Sequence, residues 1–350
     1  GAAYTDSGTF NGGSGTFDFD YSGAGTANFT VLADGSTTFN NLVFDVYGTV
    51  NLVKNFTVAG NLTFQKTGGN TNNIACPTND CTIIAQSNVS VSGSGGHVYA
   101  GNVSTPANFT IKMTGGAEGS PATLTVTKSS GWYARLYAKV EIDGYVSATQ
   151  TYGSTDTYFG TADANSTLTI NSGKTLVFNT GIVTRFSTIT NNGSLISNST
   201  DVTMGSALIN NGTTTISLTS GSWNQTGTVS NNGTITISSG TYTGSNTFTN
   251  NSGAILDYSG TTFDENSVFT NSSGGTVNVS GAWYQSANFT NSGAFTATTG
   301  TFTVDGNVGR DFNPGGGTFY NLNINKSDGV LTLLGNFSVS NDLTLNNGNG

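Results

Sequence analysis

Residues 229–253 have the sequence VSNNGTITISSGTYTGSNTFTNNSG, and this stretch decides the fold. It spans one complete repeat, because the marker at Asn232-Gly233 returns as Asn251-Ser252-Gly253. Between the two markers lie an alternating segment that begins at Ile235 and a single aromatic residue, Tyr242. Strict alternation of apolar and polar residues is typical of a β-strand with one buried face. The stretch therefore predicts short strands joined by turns within a unit of about 20 residues.

The same unit recurs every 19–21 residues from about residue 189 onward. An asparagine marks the turn of each copy, and we expect these side chains to form one hydrogen-bonded row: Asn192, Asn211, Asn232, Asn251, Asn271 and Asn291. An aromatic residue follows a glycine halfway along each copy, and we expect these rings to stack in one buried ladder: Trp223, Tyr242, Phe263, Trp283 and Phe302. The glycine after the asparagine is expected to give the turn a left-handed backbone.

A unit of about 20 residues cannot bury its apolar face alone, so the copies must stack. We predict an all-β, single-chain parallel β-helix (a β-solenoid) with about 20 residues per coil, which gives about 17 coils in 350 residues. An antiparallel hairpin array would also use Asn-Gly turns, but it does not need matching residues in every repeat. Residues 1–69 and 166–350 predict regular coils, and residues 70–165 predict less regular coils with projecting loops. We expect one continuous rod.

The composition limits the functions that are open to the chain. Only 8% of its residues are charged, against about 25% in typical domains. The net charge is −9, and a nucleic-acid partner requires a basic face, so we expect no nucleic-acid binding. No run of 18 apolar residues is present, so we expect no membrane insertion. The chain begins and ends in patterned sequence, which favours a mature form or a fragment of a longer protein.

The two cysteines, Cys76 and Cys81, enclose four residues. A zinc site would need two more ligands, and the chain contains one histidine. Two free thiols are a second alternative. In an oxidising compartment the pair would close a short loop, and this disulfide is the interpretation that we favour.

Groups that could carry out catalysis are sparse. Polysaccharide hydrolases need carboxyl groups that converge on the scissile bond, and the acidic residues here are scattered. The one adjacent pair, Asp264-Glu265, has no basic residues clustered around it, and we interpret it as solvated surface. We expect no catalytic residue, no metal site and no cofactor, and hence no enzyme.

Two sets of residues could face the surroundings. Tyr133, Arg135, Tyr137 and Lys139 alternate along one predicted strand, and exposed tyrosine with arginine suits recognition of a sugar or protein. The alternative is a strand face that packs under its own loop. Five glycosylation motifs have a central phenylalanine, whose burial would place the acceptor asparagine on the outer face: Asn28, Asn55, Asn108, Asn288 and Asn336.

A second pattern links the two ends of the chain. Thr38-Phe39-Asn40-Asn41-Leu42 returns as Thr318-Phe319-Tyr320-Asn321-Leu322, and Asn55-Phe56-Thr57-Val58 returns as Asn336-Phe337-Ser338-Val339. With these repeats the sequence resembles large secreted parallel β-helix surface proteins, such as filamentous-haemagglutinin-like adhesins and pectin-lyase-like repeat proteins. The resemblance implies a right-handed helix and an extracellular location. It implies little about function, because the architecture hosts adhesins, lyases and inert stalks alike.

We therefore expect an extracellular structural protein, a filament or stalk building block of a cell surface. Both ends share one pattern and neither offers a polar cap, so we expect head-to-tail self-association into a fibre or array. The alternative is a glycan- or surface-binding adhesin segment whose partners are cell-surface glycans. A polysaccharide lyase or hydrolase is a distant third.

Overall fold

The computed structural model describes residues 3–6, 13–21, 25–31, 37–66, 72–76, 80–93, 98–101, 108–128, 133–151, 157–160, 166–198 and 201–347. These ranges contain no α-helix. Their strands stack in parallel as a β-solenoid of about 13 turns, with successive turns roughly 21 residues apart. The predicted all-β parallel solenoid is thereby confirmed. The chain forms two compact units, Gly1–Ile189 and Thr190–Gly350.

Within the described residues the first unit contains 21 strands, and the boundary between the units falls within the next strand, β22 (Thr188–Asn191). The strands are β1 (Ala3–Asp6), β2 (Thr16–Tyr21), β3 (Thr26–Val31), β4 (Thr38–Phe39), β5 (Asn41–Val46), β6 (Gly48–Leu52), β7 (Phe56–Val58), β8 (Leu62–Lys66), β9 (Asn72–Ala75), β10 (Cys81–Ala85), β11 (Val89–Gly93), β12 (Val98–Gly101), β13 (Phe109–Met113), β14 (Ala122–Lys128), β15 (Ala134–Tyr137), β16 (Lys139–Ile142), β17 (Tyr145–Thr151), β18 (Thr157–Phe159), β19 (Thr167–Ile170), β20 (Thr175–Thr180) and β21 (Ile182–Thr184).

The second unit contains the other 21 strands. They are β23 (Ser194–Ser197), β24 (Val202–Met204), β25 (Ala207–Asn210), β26 (Thr213–Gln225), β27 (Val229–Asn231), β28 (Thr234–Gly244), β29 (Phe248–Asn250), β30 (Ile255–Tyr258), β31 (Thr262–Glu265), β32 (Phe269–Asn271), β33 (Thr276–Val279), β34 (Ala282–Gln285), β35 (Phe289–Asn291), β36 (Ala294–Ala297), β37 (Thr301–Val304), β38 (Arg310–Asn313), β39 (Thr318–Phe319), β40 (Asn321–Lys326), β41 (Leu331–Leu333), β42 (Ser338–Val339) and β43 (Leu343–Asn347).

Each coil contributes strands to three parallel ladders, because a strand pairs with its counterpart one coil later. In the first unit the ladders are β2-β5-β8-β11-β14-β17-β20, β1-β3-β6-β9-β12-β15-β18-β21 and β4-β7-β10-β13-β16-β19. We call them the first, second and third ladders of that unit. In the second unit they are β23-β26-β28-β30-β33-β36-β39-β42, β24-β26-β28-β31-β34-β37-β40-β43 and β25-β27-β29-β32-β35-β38-β41. The long strands β26 and β28 belong to two ladders at once.

The core consists of the inward residues of these ladders. Along β8, Leu62 and Phe64 are buried and Thr63 is partly exposed. The next coil repeats the arrangement, with Val89 opposite Leu62 and Val91 opposite Phe64. Because the side-chain period of a strand is two, this register keeps like residues in like columns. The predicted alternation is therefore the basis of the buried core.

The coils of residues 56–170 are longer than the sequence repeat predicted. Along the third ladder, Phe56 lies opposite Ile83 and Ile83 opposite Ile111, separations of 27 and 28 residues. The next two steps, to Val140 and then Leu168, take 29 and 28 residues. Each of these coils is thus several residues longer than the repeat of about 20 residues that the sequence predicted. The prediction of about 17 coils was wrong for this reason, and the fold has about 13 turns.

The expected left-handed turn glycine is present in only some of the copies. Gly253 and Gly274 have positive φ angles of 77° and 82°. Gly212 and Gly233 do not, and a Cβ atom at either would collide with the carbonyl oxygen of the glycine one coil earlier. In those copies glycine is required because successive backbones approach closely, and not because of its φ angle.

Candidate functional site

The aromatic ladder is a single column in the second unit. Trp223, Tyr242, Phe263, Trp283 and Phe302 lie opposite one another in successive strands, and all five are buried. Ring centroids are 4.4 Å apart for Tyr242 and Phe263, 4.0 Å for Phe263 and Trp283, and 5.6 Å for Trp283 and Phe302. These rings are part of the core and are closed to ligands.

A polar column lies two residues beyond the aromatic ladder. The indole Nε1 of Trp223 donates to Oε1 of Gln225 at 3.1 Å, and Trp283 donates likewise to Gln285 at 3.3 Å. Nε2 of Gln225 donates to the carbonyl oxygen of Ser206 at 2.9 Å. Each glutamine therefore links its own aromatic neighbour to the preceding turn, and both amides are fully buried.

Glu265 occupies the same column and is fully buried, so its interpretation as solvated surface was wrong. Oε1 accepts a hydrogen bond from the amide of Ser267 at 3.0 Å, and Oε2 has no hydrogen-bond partner. Burial raises the pKa of the Glu265 carboxyl to about 8, so the group is mainly protonated at neutral pH. The inward position could have been found from the sequence, because Glu265 follows Phe263 as Gln285 follows Trp283.

The asparagines form two rows, where the sequence analysis predicted one. In the inner row, each buried side-chain amide donates through Nδ2 to Oδ1 of the asparagine one coil later, at 2.7–2.8 Å. This row consists of Asn191, Asn210, Asn231, Asn250, Asn271 and Asn291. At its end Asn291 donates to the carbonyl oxygen of Pro314 at 2.9 Å.

The outer row consists of Asn192, Asn211, Asn232 and Asn251, and its members donate to the preceding coil at 2.7–2.8 Å. Asn271 belongs to the inner row and not to this one, because its register partner is Asn250. Asn291 likewise pairs with Asn271. The predicted single row combined the two. The sequence signal for the inner row was the first asparagine of each Asn-Asn pair, which ends an alternating strand.

Cys76 and Cys81 are joined by a disulfide, with their Cα atoms 6.0 Å apart. Both residues are buried, and Cys81 begins β10 of the third ladder. The bond therefore ties the end of the segment after β9 to the start of the next strand.

The glycosylation candidates lie beside buried rings. Phe29, Phe56, Phe109 and Phe289 are buried, and Phe337 is partly exposed. The preceding asparagines are exposed at Asn28 and Asn336 and partly exposed at Asn55, Asn108 and Asn288. Two of the partly exposed asparagines also accept hydrogen bonds from the backbone of the next coil. Oδ1 of Asn55 accepts from the amide of Thr82 at 2.7 Å, and Oδ1 of Asn288 accepts from the amide of Asp311 at 3.2 Å.

An arginine surrounded by tyrosines lies on the second ladder of the first unit. Tyr99, Arg135 and Tyr158 are opposite one another in successive strands. The guanidinium carbon of Arg135 lies 4.5 Å from the ring centroid of Tyr133 and 4.7 Å from that of Tyr158. Nη1 of Arg135 donates to the Tyr137 hydroxyl at 3.0 Å. We call this group, with Arg185, the Tyr–Arg cluster.

Arg185 completes the cluster from one coil later. Its guanidinium carbon lies 4.7 Å from the ring centroid of Tyr158. Tyr99, Tyr158 and Arg185 were not singled out by the sequence analysis. Only the register of the coils brings them beside Arg135, and the irregular spacing of residues 70–165 hid that register.

Lys139 does not belong to this surface, although the sequence analysis placed it in the same row. The chain turns a corner at Ala138, so β15 lies in the second ladder and β16 in the third. Lys139 is therefore opposite Thr110 on another face. The alternation of residues runs on through the corner because Ala138 is itself buried.

Charged side chains on the third ladder neutralise one another. Nζ of Lys112 lies 3.0 Å from Oε1 of Glu141 and 3.2 Å from Oδ2 of Asp143. Asn171 donates to Glu141 at 2.7 Å and to Asp143 at 3.3 Å. The hydrogen bonds from Asn171 and Lys112 lower the pKa of the Asp143 carboxyl. Nζ of Lys174 lies 4.0 Å from Oδ1 of Asp143, so two lysines balance the two carboxylates.

The last coil exposes residues that belong to buried columns. Leu333 and Leu343 are each 50% exposed and Leu345 is 69% exposed. One coil earlier, Phe312 and Leu322, opposite Leu333 and Leu343, are both 0% exposed. The strands of this coil, β41, β42 and β43, pair on one side only within the described residues. The coil thus presents an apolar surface bordered by unpaired strand edges.

Within the described ranges, no three His, Cys, Asp or Glu side chains are grouped as a metal site would require. The same ranges hold no helix with the length and apolar character to cross a bilayer. Comparison of the chain with protein-family models, with curated proteins and with solved structures gave no match.

Proposed function

We propose that the chain is an extracellular structural protein, a building block of a cell-surface filament or stalk. The observation that carries the proposal is the last described coil, where Leu333 and Leu343 are each 50% exposed although the residues opposite them one coil earlier are fully buried. Covering such surface with a further coil is favourable because it removes apolar area from water. Open strand edges also supply backbone hydrogen-bonding groups for an added parallel strand.

A second copy of the chain is the partner that we propose for this coil. Oδ1 of Asn41 accepts a hydrogen bond from the amide of Asn61 at 2.8 Å, and Oδ1 of Asn321 accepts from the amide of Asp342 at 3.2 Å. The backbone hydrogen bonds around these turns also match: Ala59 to Phe39, Gly60 to Asn40 and Leu42 to Asn61 in the first, and Ser340 to Phe319, Asn341 to Tyr320 and Leu322 to Asp342 in the second. A turn near each end of the chain thus has the same hydrogen-bond geometry, which supports similar cross-sections for early and late coils.

The disulfide between Cys76 and Cys81 supports an extracellular location, because such bonds persist mainly in oxidising compartments. Contacts that join one end of a copy to the other end of the next generate an open filament when the rotation between copies does not close into a ring.

The test is the assembly of the purified chain, followed by light scattering over a range of concentrations and by electron microscopy. We expect particles that grow with concentration, and monomers for the double variant Leu343→Lys/Leu345→Lys. The matched control is Thr344→Lys, which adds a charge on the opposite face of the same strand and should assemble normally. A chain that stays monomeric at all concentrations, or a double variant that assembles like the parent, would overturn the proposal.

An adhesin segment is the second candidate function. The Tyr–Arg cluster favours it, because aromatic and arginine side chains together suit the recognition of a partner. This function and the first are compatible, since the cluster lies in the first unit and the last coil in the second.

A further inference from the structure

The two arginines of the Tyr–Arg cluster carry positive charges that no carboxylate neutralises in the described part of the chain. Arg135 hydrogen bonds to a phenol and contacts aromatic rings, and Arg185 contacts the ring of Tyr158. The ion pairs found in the described residues involve lysines instead: Lys66, Lys112 and Lys174. In a protein of net charge −9 with three arginines, two of those arginines thus share one surface with no acidic partner among the residues that the structure describes.

The two guanidinium groups are also close to each other. Both lie 4.7 Å from the ring centroid of Tyr158, so their central carbons are at most 9.4 Å apart. Like charges at this distance repel, and the repulsion increases where water is partly excluded. Nε of Arg135 is buried without a hydrogen-bond partner, which shows that part of this guanidinium is removed from water. An anion placed beside both groups would relieve the repulsion.

The tyrosines cannot supply that anion themselves. Burial raises the pKa of Tyr158 and, to a smaller extent, that of Tyr99 above the ordinary value for a phenol. Both side chains are therefore neutral at physiological pH. They provide aromatic faces and hydroxyl groups, and they leave the charge of the arginines uncompensated.

We propose that the Tyr–Arg cluster binds an acidic saccharide, a sugar chain that carries carboxylate or sulfate groups. Arg135 and Arg185 would hold the anionic group, since a planar guanidinium matches a carboxylate or sulfate with two parallel hydrogen bonds. The partly exposed rings of Tyr99 and Tyr133 would contact the apolar face of the sugar ring. This inference rests on the second candidate function, and it specifies the class of glycan that the site prefers.

The ligand class follows from the combination of groups. A neutral sugar would use the rings but leave the two charges unpaired. A nucleic acid would bring a dense row of phosphates toward a protein of net charge −9, and the cluster offers only two cations to offset that repulsion. An acidic saccharide uses both the charges and the aromatic faces.

The test is calorimetric titration of the whole chain with polygalacturonate and with heparin, and with neutral dextran for comparison. We expect binding of at least one acidic polymer that is ten-fold or more tighter than that of dextran, and that weakens as salt is added. Arg135→Gln and Arg185→Gln should each weaken the binding ten-fold or more. Comparison of polygalacturonate, which carries carboxylate groups, with heparin, which also carries sulfate groups, identifies which acidic group is preferred.

Lys139→Gln is the matched control, because it removes the same charge from a neighbouring strand on another face. It should leave binding unchanged, and thermal unfolding should show that all three variants are folded. Should Arg135→Gln fail to fold, Arg185→Gln alone decides. Dextran or DNA binding as tight as the acidic saccharides, no binding at all, or an equal loss in Lys139→Gln would overturn the proposal. Leu343→Lys/Leu345→Lys should bind normally, so a failure of filament assembly is distinguishable.

Discussion

The carboxyl group of Glu265 fills the space in which a side chain on Gly244 would lie. A Cβ atom built on Gly244 would collide with Oε2 of Glu265. The two residues are opposite each other in β28 and β31, in the column that holds Gln225 and Gln285 in neighbouring coils. The glutamate thus reaches into a position left empty by the preceding coil, and one of its oxygens has no partner there.

This arrangement predicts that the second unit loses stability as the pH rises. The pKa of Glu265 is raised from 4.5 to about 8 in the folded state, so folding favours the protonated form. Its stabilising effect is full below pH 4.5 and is lost as the pH increases to about 8. Glu265→Gln removes this dependence and should raise the free energy of unfolding at pH 9 by about 2–5 kcal/mol.

Urea unfolding of the parent and of Glu265→Gln at pH 5 and pH 9 checks this prediction. Asp311→Asn is the control, because Asp311 is an exposed carboxyl on another strand of the second unit. Equal stability of the parent and Glu265→Gln at pH 9 would show that the buried carboxyl is not a source of strain.

Truncation of the aromatic ladder should be costly. Trp283 is fully buried between Phe263 and Phe302. Trp283→Ala should lower the free energy of unfolding by about 3–5 kcal/mol, since it leaves a cavity and deprives Gln285 of its donor. The control is Tyr284→Ala on the outer face, where the side chain is 39% exposed. Similar losses for the two variants in urea unfolding would contradict the assignment of Trp283 to the core.

The two asparagine rows should differ in their contribution to stability. Asn231→Ala breaks the inner row. The amide of Asn210 loses one of its acceptors, and Oδ1 of Asn250 and the carbonyl of Ile255 lose the Nδ2 donor of Asn231. We expect a loss of about 2–4 kcal/mol, because buried polar groups left unpaired are expensive. Asn232→Ala, in the exposed outer row, should cost less than about 1 kcal/mol because water replaces the amide. Thermal unfolding of both variants tests the ranking, and the reverse order would contradict it.

Reduction of the disulfide should have a modest effect. Cys76 and Cys81 close a short loop, so the entropic stabilisation is about 2 kcal/mol. The Cys76→Ser/Cys81→Ser variant should therefore fold and unfold at lower urea concentration than the parent. Unfolding in the presence and absence of reductant measures the same difference. A parent chain unaffected by reductant would indicate that the bond adds nothing to stability.

The sequence was sufficient for the fold because one face of most described strands is buried and the columns repeat. The sequence was insufficient where either of two adjacent residues could occupy the inward column. Asn271 lies two residues after the buried Phe269 on the same strand, so its side chain points inward. The turn signal alone had grouped Asn271 with the outward asparagines. The sequence analysis placed Lys139 on the wrong face because the alternation of inward and outward residues continues unchanged through the corner at Ala138.

The Tyr–Arg cluster could not be predicted as a unit for a related reason. Its successive layers, at Tyr99, Arg135 and Tyr158, are more than 20 residues apart, in coils whose lengths vary with the loops inserted in them. Periodicity gives the register only where the period is constant, as it is in the second unit.

The opposite directions of the two asparagine rows have an electrical consequence. Every inner amide points its N–H toward the following coil, so the amide dipoles of that row add along the stack, as peptide dipoles do in a helix. Every outer amide points the other way and subtracts from that sum. The outer row stops at Asn251, because serine replaces the second asparagine in the next two copies. The amide dipoles without an opposing outer partner are therefore those of Asn271 and Asn291. The positive end of the inner row is the Nδ2 group of Asn291, which donates to the carbonyl oxygen of Pro314.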